Sequence, residues 1–247
     1  MTEPGLKERR VLITGAGSGI GRTLAERVIS AGALVTLVDL RGDSIADLAQ
    51  EENCEAHEMD VSEPEGWAAL PHYGMGWDFI ALNAGIMTAP PDAPRKASDL
   101  LAMDLDRYQQ VMRVNVDGVL HGVRRFASEL APSGAIVVTA SAAGLVGYPG
   151  DVAYSMSKHA VVALVRGLAP HFGRKKLDQR ILAICPGGVR TGIVPAAFKD
   201  TPMMEPSVIA DDIIDLWFNG ENGEVRARMR PEIPGKNIEE PELPPWW

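Results

Sequence analysis

Tyr154 and Lys158 sit four residues apart in the run Tyr-Ser-Met-Ser-Lys, and Ser141 lies thirteen residues before the tyrosine. On a helix that spacing stacks the phenol and the ammonium one turn apart on the same face. A tyrosine is a poor base at its ordinary pKa of about 10. A neighbouring ammonium favours the phenolate and moves it toward the range where acid–base catalysis is efficient. A serine hydroxyl nearby can hold the reacting oxygen. These three residue types can therefore build a proton-transfer site, provided the fold brings Ser141 to the helix. The apolar run Gly134–Ala140 reads as a buried strand with Ser141 at its carboxyl end, the edge of an open α/β sheet where ligands bind.

The elements that must position them alternate along the chain. Apolar, strand-like runs occur at Arg10–Thr14, Ala33–Asp39, Cys54–Asp60, Trp77–Asn83, Gly134–Ala140 and Arg180–Cys185, with a weaker one at Glu224–Met229. Helical patterns fill the gaps at Gly19–Ala31, Asp43–Glu52, Asp104–Leu130, Val152–Phe172 and Ser207–Phe218. Such alternation predicts a single α/β domain over residues 1–247. Its core, about 8–230, is a Rossmann-like, doubly wound parallel sheet of about seven strands with helices on both faces. The remainder, about 231–247, is rich in Pro and Glu and ends in Pro-Pro-Trp-Trp. It is expected to run extended over the surface, with Trp246 and Trp247 docked on protein because both carry large apolar area.

The first strand leads into Thr14-Gly15-Ala16-Gly17-Ser18-Gly19-Ile20-Gly21, with a helix pattern beyond. Glycines here permit a tight turn and close backbone approach to a pyrophosphate, and the helix start adds amide donors and the positive dipole end. The spacing is Gly-x-x-x-Gly-x-Gly rather than Gly-x-Gly-x-x-Gly, which serves the same physics. Asp39 closes the second strand eighteen residues after Gly21. Its carboxylate can accept from both adenosine ribose hydroxyls and repels a 2′-phosphate, so NAD is expected over NADP, although Arg41 stands close by.

With both motifs in view, the chain resembles the short-chain dehydrogenase/reductase family, in its branch of about 250 residues, over nearly all of 8–230. Gly15, Ser18, Gly19, Ile20 and Gly21 are similar to the family's cofactor loop. Asp60 and Val61 match the pair that holds the adenine, and Asn83, Ala84 and Gly85 the stretch flanking the cofactor. Asn115 falls at the place of an active-site asparagine. Pro186, Gly187, Val189 and Thr191 resemble the segment that holds the nicotinamide carboxamide. One departure is Leu82, where a second asparagine is frequent. The resemblance implies alcohol–ketone interconversion with Tyr154 as acid/base. Lys158 would lower the tyrosine pKa and bond the nicotinamide ribose. Ser141 would hold the reacting oxygen, and Asn115 a water leading to Lys158. It also implies pairing of the Asp104–Leu130 and Val152–Phe172 helices into a homotetramer, or a dimer. Two readings on the same fold compete with it: a catalytically silent dinucleotide-binding regulator, and a non-redox relative of dehalogenase or epimerase type.

Composition narrows the partners. A net charge of −9 argues against nucleic acid or an anionic membrane as the main partner. The apolar runs stop short of the roughly 20 residues a membrane span needs. The first ten residues lack a secretory apolar core, and Cys54 and Cys185 are the only cysteines, so a reducing cytoplasm is expected. The five histidines show no metal spacing. Apolar residues follow Ser141 (Leu145, Val146) and Thr191 (Ile193, Val194), which favours an uncharged, hydrophobic alcohol or ketone.

Overall fold

The computed structural model describes residues 5–173, 178–194 and 201–240, apart from the Arg95 side chain. Trp246 and Trp247 therefore lie outside the described residues. Eight strands form one sheet: β1 (Arg10–Thr14), β2 (Leu34–Asp39), β3 (Cys54–Glu58), β4 (Trp77–Leu82), β5 (Leu130–Thr139), β6 (Arg180–Pro186), β7 (Val225–Arg228) and β8 (Lys236–Asn237). Their spatial order is 3-2-1-4-5-6-7-8. The first seven pair in parallel, and β8 returns antiparallel on β7. Chain direction across the sheet reverses between β1 and β4, which opens a crevice at the carboxyl ends of those strands.

Among the described residues six α-helices flank the sheet: α1 (Gly19–Ser30), α2 (Pro64–Ala68), α3 (Leu105–Met112), α4 (Gly118–Phe126), α5 (Val152–Gly173) and α6 (Pro206–Asn219). Each strand side chain faces opposite its neighbour, so β1 divides its residues between two cores. Val11 and Ile13 join Leu24, Val28, Phe79 and Trp217 on the α1/α6 face. Leu12 joins Trp77, Ile80, Phe126, Val161 and Val165 on the α4/α5 face. Both faces being covered explains why these strands read as unbroken apolar runs.

Four expectations need correction. The pattern Asp43–Glu52 forms two short 3-10 turns, Gly42–Ser44 and Leu48–Gln50, instead of one helix. The pattern Asp104–Leu130 is α3, a π-helical turn over Arg113–Asp117, and α4; Leu130 already begins β5. β3 is not an apolar run: its CEAHE sequence sits at the sheet edge and is only partly buried, so one side is free to be polar. The eighth strand comes from the expected tail. Lys236 and Asn237 pair with Ala227 and Arg226, Ile238 packs against the α4/α5 core, and Arg166 donates to the Ile238 carbonyl at 2.8 Å.

Candidate active site

β1 feeds the glycine loop directly into α1. Gly15 and Gly19 adopt φ of +67° and +53°, where a β-carbon is strained. A Cβ on Gly15 would lie 2.9 Å from the Ala84 Cα, and one on Gly21 would run into the Gly15 carbonyl. Only glycine lets the loop close this tightly over the strand ends. Ser18 is exposed at the helix start and makes no side-chain cap, so its hydroxyl does not occupy the first amides of α1. Asp39, at the end of β2, accepts from the Gly17 amide at 2.8 Å and from the Arg41 amide at 3.1 Å. The carboxylate is thus aimed at the loop. Arg22 is spent on Asp47 and Glu26, which leaves Arg41 as the cation at this rim.

Asp60 accepts from the Ser62 amide at 2.8 Å, and the Val61 carbonyl accepts from the buried Trp67 indole at 2.9 Å, so the turn after β3 is held rigid. Asn83 ties three strand ends together. Its amide nitrogen donates to the Thr14 carbonyl at 3.2 Å and its oxygen accepts from Thr139 at 3.0 Å. Its side chain therefore organises the crevice floor, while Ala84 and Gly85 carry the backbone past it.

Asn115 owes its orientation to the π-helical turn, a rare device that often marks a functional site. It is fully buried. Its oxygen accepts from the Ile86 amide at 2.8 Å, and its nitrogen donates to the Ile86 carbonyl and to Ser157, each at 2.9 Å. Both ends of the amide engage protein groups; the side chain clamps the segment after Gly85 against α5.

α5 carries Tyr154 and Lys158 one turn apart, and β5 ends beside them. Lys158 is buried, and its Nζ donates to the Thr139 carbonyl at 2.8 Å. It sits 5.7 Å from the centre of the Tyr154 ring. Ser141 is extended, accepts from the Ala143 amide at 3.1 Å, and hydrogen-bonds the Tyr154 side chain. Burial pushes Tyr154 up to about 12, with the Ser141 bond pulling the other way. Burial also lowers Lys158 to about 8. Loss of water around the phenol dominates its shift, and the group that favours the phenolate in this structure is Ser141 rather than the expected Lys158.

On the far side, Pro186 ends β6, the Gly187 amide donates to the Arg228 carbonyl at 2.8 Å, and Val189 bridges to Met204. A Cβ on Gly19 would meet the Thr191 methyl at 2.8 Å, which places Thr191 over the glycine loop. Ser18, Asp39, Asp60, Asn83, Ser141, Tyr154, Lys158, Pro186 and Thr191 all line one cleft of about 710 Å³. Sequence reasoning missed other lining residues, among them Arg107, Gln110, Tyr148, Met203 and Met229. Arg107, Gln110 and Val114 recur at helical spacing on the face leading to Asn115, a signal that was available; Met229 follows β7 and had none. Among the described residues no cluster of three or more His, Cys, Asp or Glu could hold a metal ion. No described helix is long and apolar enough to cross a membrane.

The profile of the short chain dehydrogenase family matches residues 9–202. This chain belongs to that family. The 3β-hydroxysteroid dehydrogenase 2 of Eggerthella lenta is 34% identical over 203 residues, spanning 77% of this chain and 74% of that protein. The 2,5-dichloro-2,5-cyclohexadiene-1,4-diol dehydrogenase of Sphingobium indicum is 32% identical over 219 residues, covering 81% and 80%. Among solved structures, a 3-oxoacyl-[acyl-carrier protein] reductase of Brucella melitensis with bound NAD superposes with a TM-score of 0.79 at 26% identity, over 92% of both chains. The family binds a nicotinamide dinucleotide, and the glycine loop and Asp39 of this chain fit one.

Proposed function

We propose that this short-chain dehydrogenase is an NAD-dependent enzyme that interconverts a secondary alcohol and a ketone carried on an alicyclic ring. The observation that carries the reading is the convergence of Tyr154, Ser141 and Lys158 on the cleft that the glycine loop and Asp39 also line. Asp39 would accept from the adenosine ribose hydroxyls, and its charge would oppose a 2′-phosphate. Lys158 would bond the nicotinamide ribose, and Pro186, Gly187, Val189 and Thr191, which line the same cleft, would hold the nicotinamide end. Bound there, the nicotinamide supplies or accepts the hydride. Tyr154 takes the proton from the substrate hydroxyl in oxidation and returns it to the carbonyl oxygen in reduction, with Ser141 hydrogen-bonded to the same oxygen. A phenol held near 12 stays protonated at neutral pH, so oxidation, which needs the phenolate as base, gains rate as pH rises while reduction does not.

The ring is supported from two directions. Apolar side chains such as Ile86, Met87, Ile193, Val194 and Met203 line the cleft. Both relatives above bear names with a hydroxyl on an alicyclic ring, a steroid and a cyclohexadienediol. The thiols of Cys54 and Cys185 are free, which fits work in a reducing cytoplasm. Exposed apolar residues Leu105, Leu120, Val152 and Met156 on α3, α4 and α5 fit assembly into a homotetramer. The decisive experiment follows NADH absorbance with a panel of alicyclic secondary alcohols and their ketones. NADH formed with ring alcohols supports the reading, and a panel without turnover in either direction refutes it.

A further inference from the structure

The turn before α5 carries a carboxylate that the mechanism above does not use. Asp151 is 1% exposed. One of its oxygens accepts from the Thr88 hydroxyl at 2.6 Å and from the Tyr154 amide at 3.0 Å, and the other from the Thr88 amide at 2.9 Å. A neutral residue suffices to cap a helix. Three donors converging on two oxygens require a carboxylate, because an asparagine would turn an NH₂ toward a donor. Thr88 is itself buried and follows Ile86 and Met87, both of which line the cleft. The same segment is fastened from α3 by Arg107, which donates to the carbonyls of Met87 and Thr88 at 2.6 and 2.7 Å. Ser98 adds a bond to the Gly150 carbonyl at 2.8 Å.

We propose that Asp151 is a positioning residue for proton transfer at Tyr154, locking the first turn of α5 to the Ile86–Thr88 wall of the cleft. Moving that turn moves the phenol relative to a substrate held against the wall, and small misplacements of a reacting group cost rate steeply. The charge has a second consequence. Asp151 faces Tyr154 together with Tyr148 and Cys185, and each disfavours the phenolate, while Ser141 favours it. Arg107, on α3, is the cation that faces Asp151. The site thus holds its tyrosine protonated as well as in place. This inference rests on the assignment of Tyr154 as acid/base.

The test uses the full chain with Asp151→Asn, Thr88→Val and their double variant. In D151N, kcat/KM for the ring alcohol falls on the order of tenfold or more through the lost charge-assisted bonds. The midpoint of the pH–rate profile for oxidation moves down, because a negative charge beside the phenol is gone. T88V lowers kcat/KM without moving that midpoint, NADH affinity stays within about twofold in both, and the double variant is no worse than D151N, as coupled partners require. Hydrogen exchange provides a readout that needs no turnover: the amides of Thr88 and Tyr154 exchange faster in D151N, and exchange in the first turn of α5 rises in T88V. A D151N enzyme with the wild-type midpoint and kcat/KM, or additive losses in the double variant, overturns the proposal. Where D151N does not fold, T88V with unaltered exchange in α5 overturns it. A wild type inactive on every ring alcohol refutes the functional reading instead, and the exchange measurements then decide the role of Asp151 alone.

Discussion

Lys158→Met should make the protein more stable at neutral pH while abolishing turnover. The ammonium is 3% exposed and accepted by one carbonyl, that of Thr139. Its drop from the ordinary 10.5 to about 8 makes burying the charge cost about 3 kcal/mol at pH 7. Methionine fills similar length without a charge and loses the Thr139 bond, about 1 kcal/mol. A net gain of about 2 kcal/mol corresponds to roughly 4–8 °C in Tm for a chain of this size. The pH dependence is the sharper signature. Below about 8 the lysine is charged in both the folded and the unfolded chain, and its full cost is present. Between about 8 and 10.5 only the unfolded chain binds the proton, so wild-type stability climbs relative to the variant as pH rises. Above 10.5 the advantage of methionine has gone. Urea unfolding of both proteins at pH 7, 9 and 10.5 measures the difference directly, and contributions shared by the two chains cancel. A difference that stays constant across this window, or a variant less stable at pH 7, refutes the reasoning.

Tyr154→Phe should cut turnover by about 10²–10⁴-fold with NADH binding intact, the loss usual for a general acid–base group; a rate within about threefold of wild type would remove Tyr154 from the mechanism. Asp39→Ala should weaken NAD and relax discrimination against NADP, read as the ratio of kcat/KM for the two cofactors. An unmodified enzyme that prefers NADP would instead make Arg41 the governing residue. Light scattering should return a tetramer of the 26.6 kDa chain, and a stable single-chain mass would exclude assembly through α4 and α5.

What was legible in the sequence was what local chemistry dictates. β1, with its glycine loop, has one way to turn and one ligand chemistry to serve, and Tyr154 and Lys158 sit on a helix whose period fixes their relation. Two positions resisted for physical reasons. The π-helical turn at Arg113–Asp117 leaves no mark on a pattern read at 3.6 residues per turn, because one extra residue in one turn blurs into an unbroken helix. Asp151 carries no local signal, because its partner Thr88 is brought to it by the fold from 63 residues away. The Asp43–Glu52 stretch differed in another way: it forms two 3-10 turns, and Arg22 of α1 donates to the Ser44 carbonyl and to Asp47 across them.

The short return of β8 onto β7 bears on how the sheet ends. Strands β1 to β7 pair in parallel through crossovers, whereas β8 pairs with β7 as a local antiparallel hairpin. Without residues 236–238, β7 would present an open ladder of amides and carbonyls, and Arg166 on α5 would lack the Ile238 carbonyl it grips. A chain cut before residue 236 would carry that open edge, and unpaired edges recruit each other. Two residues of strand and one arginine thus close β7 to other chains.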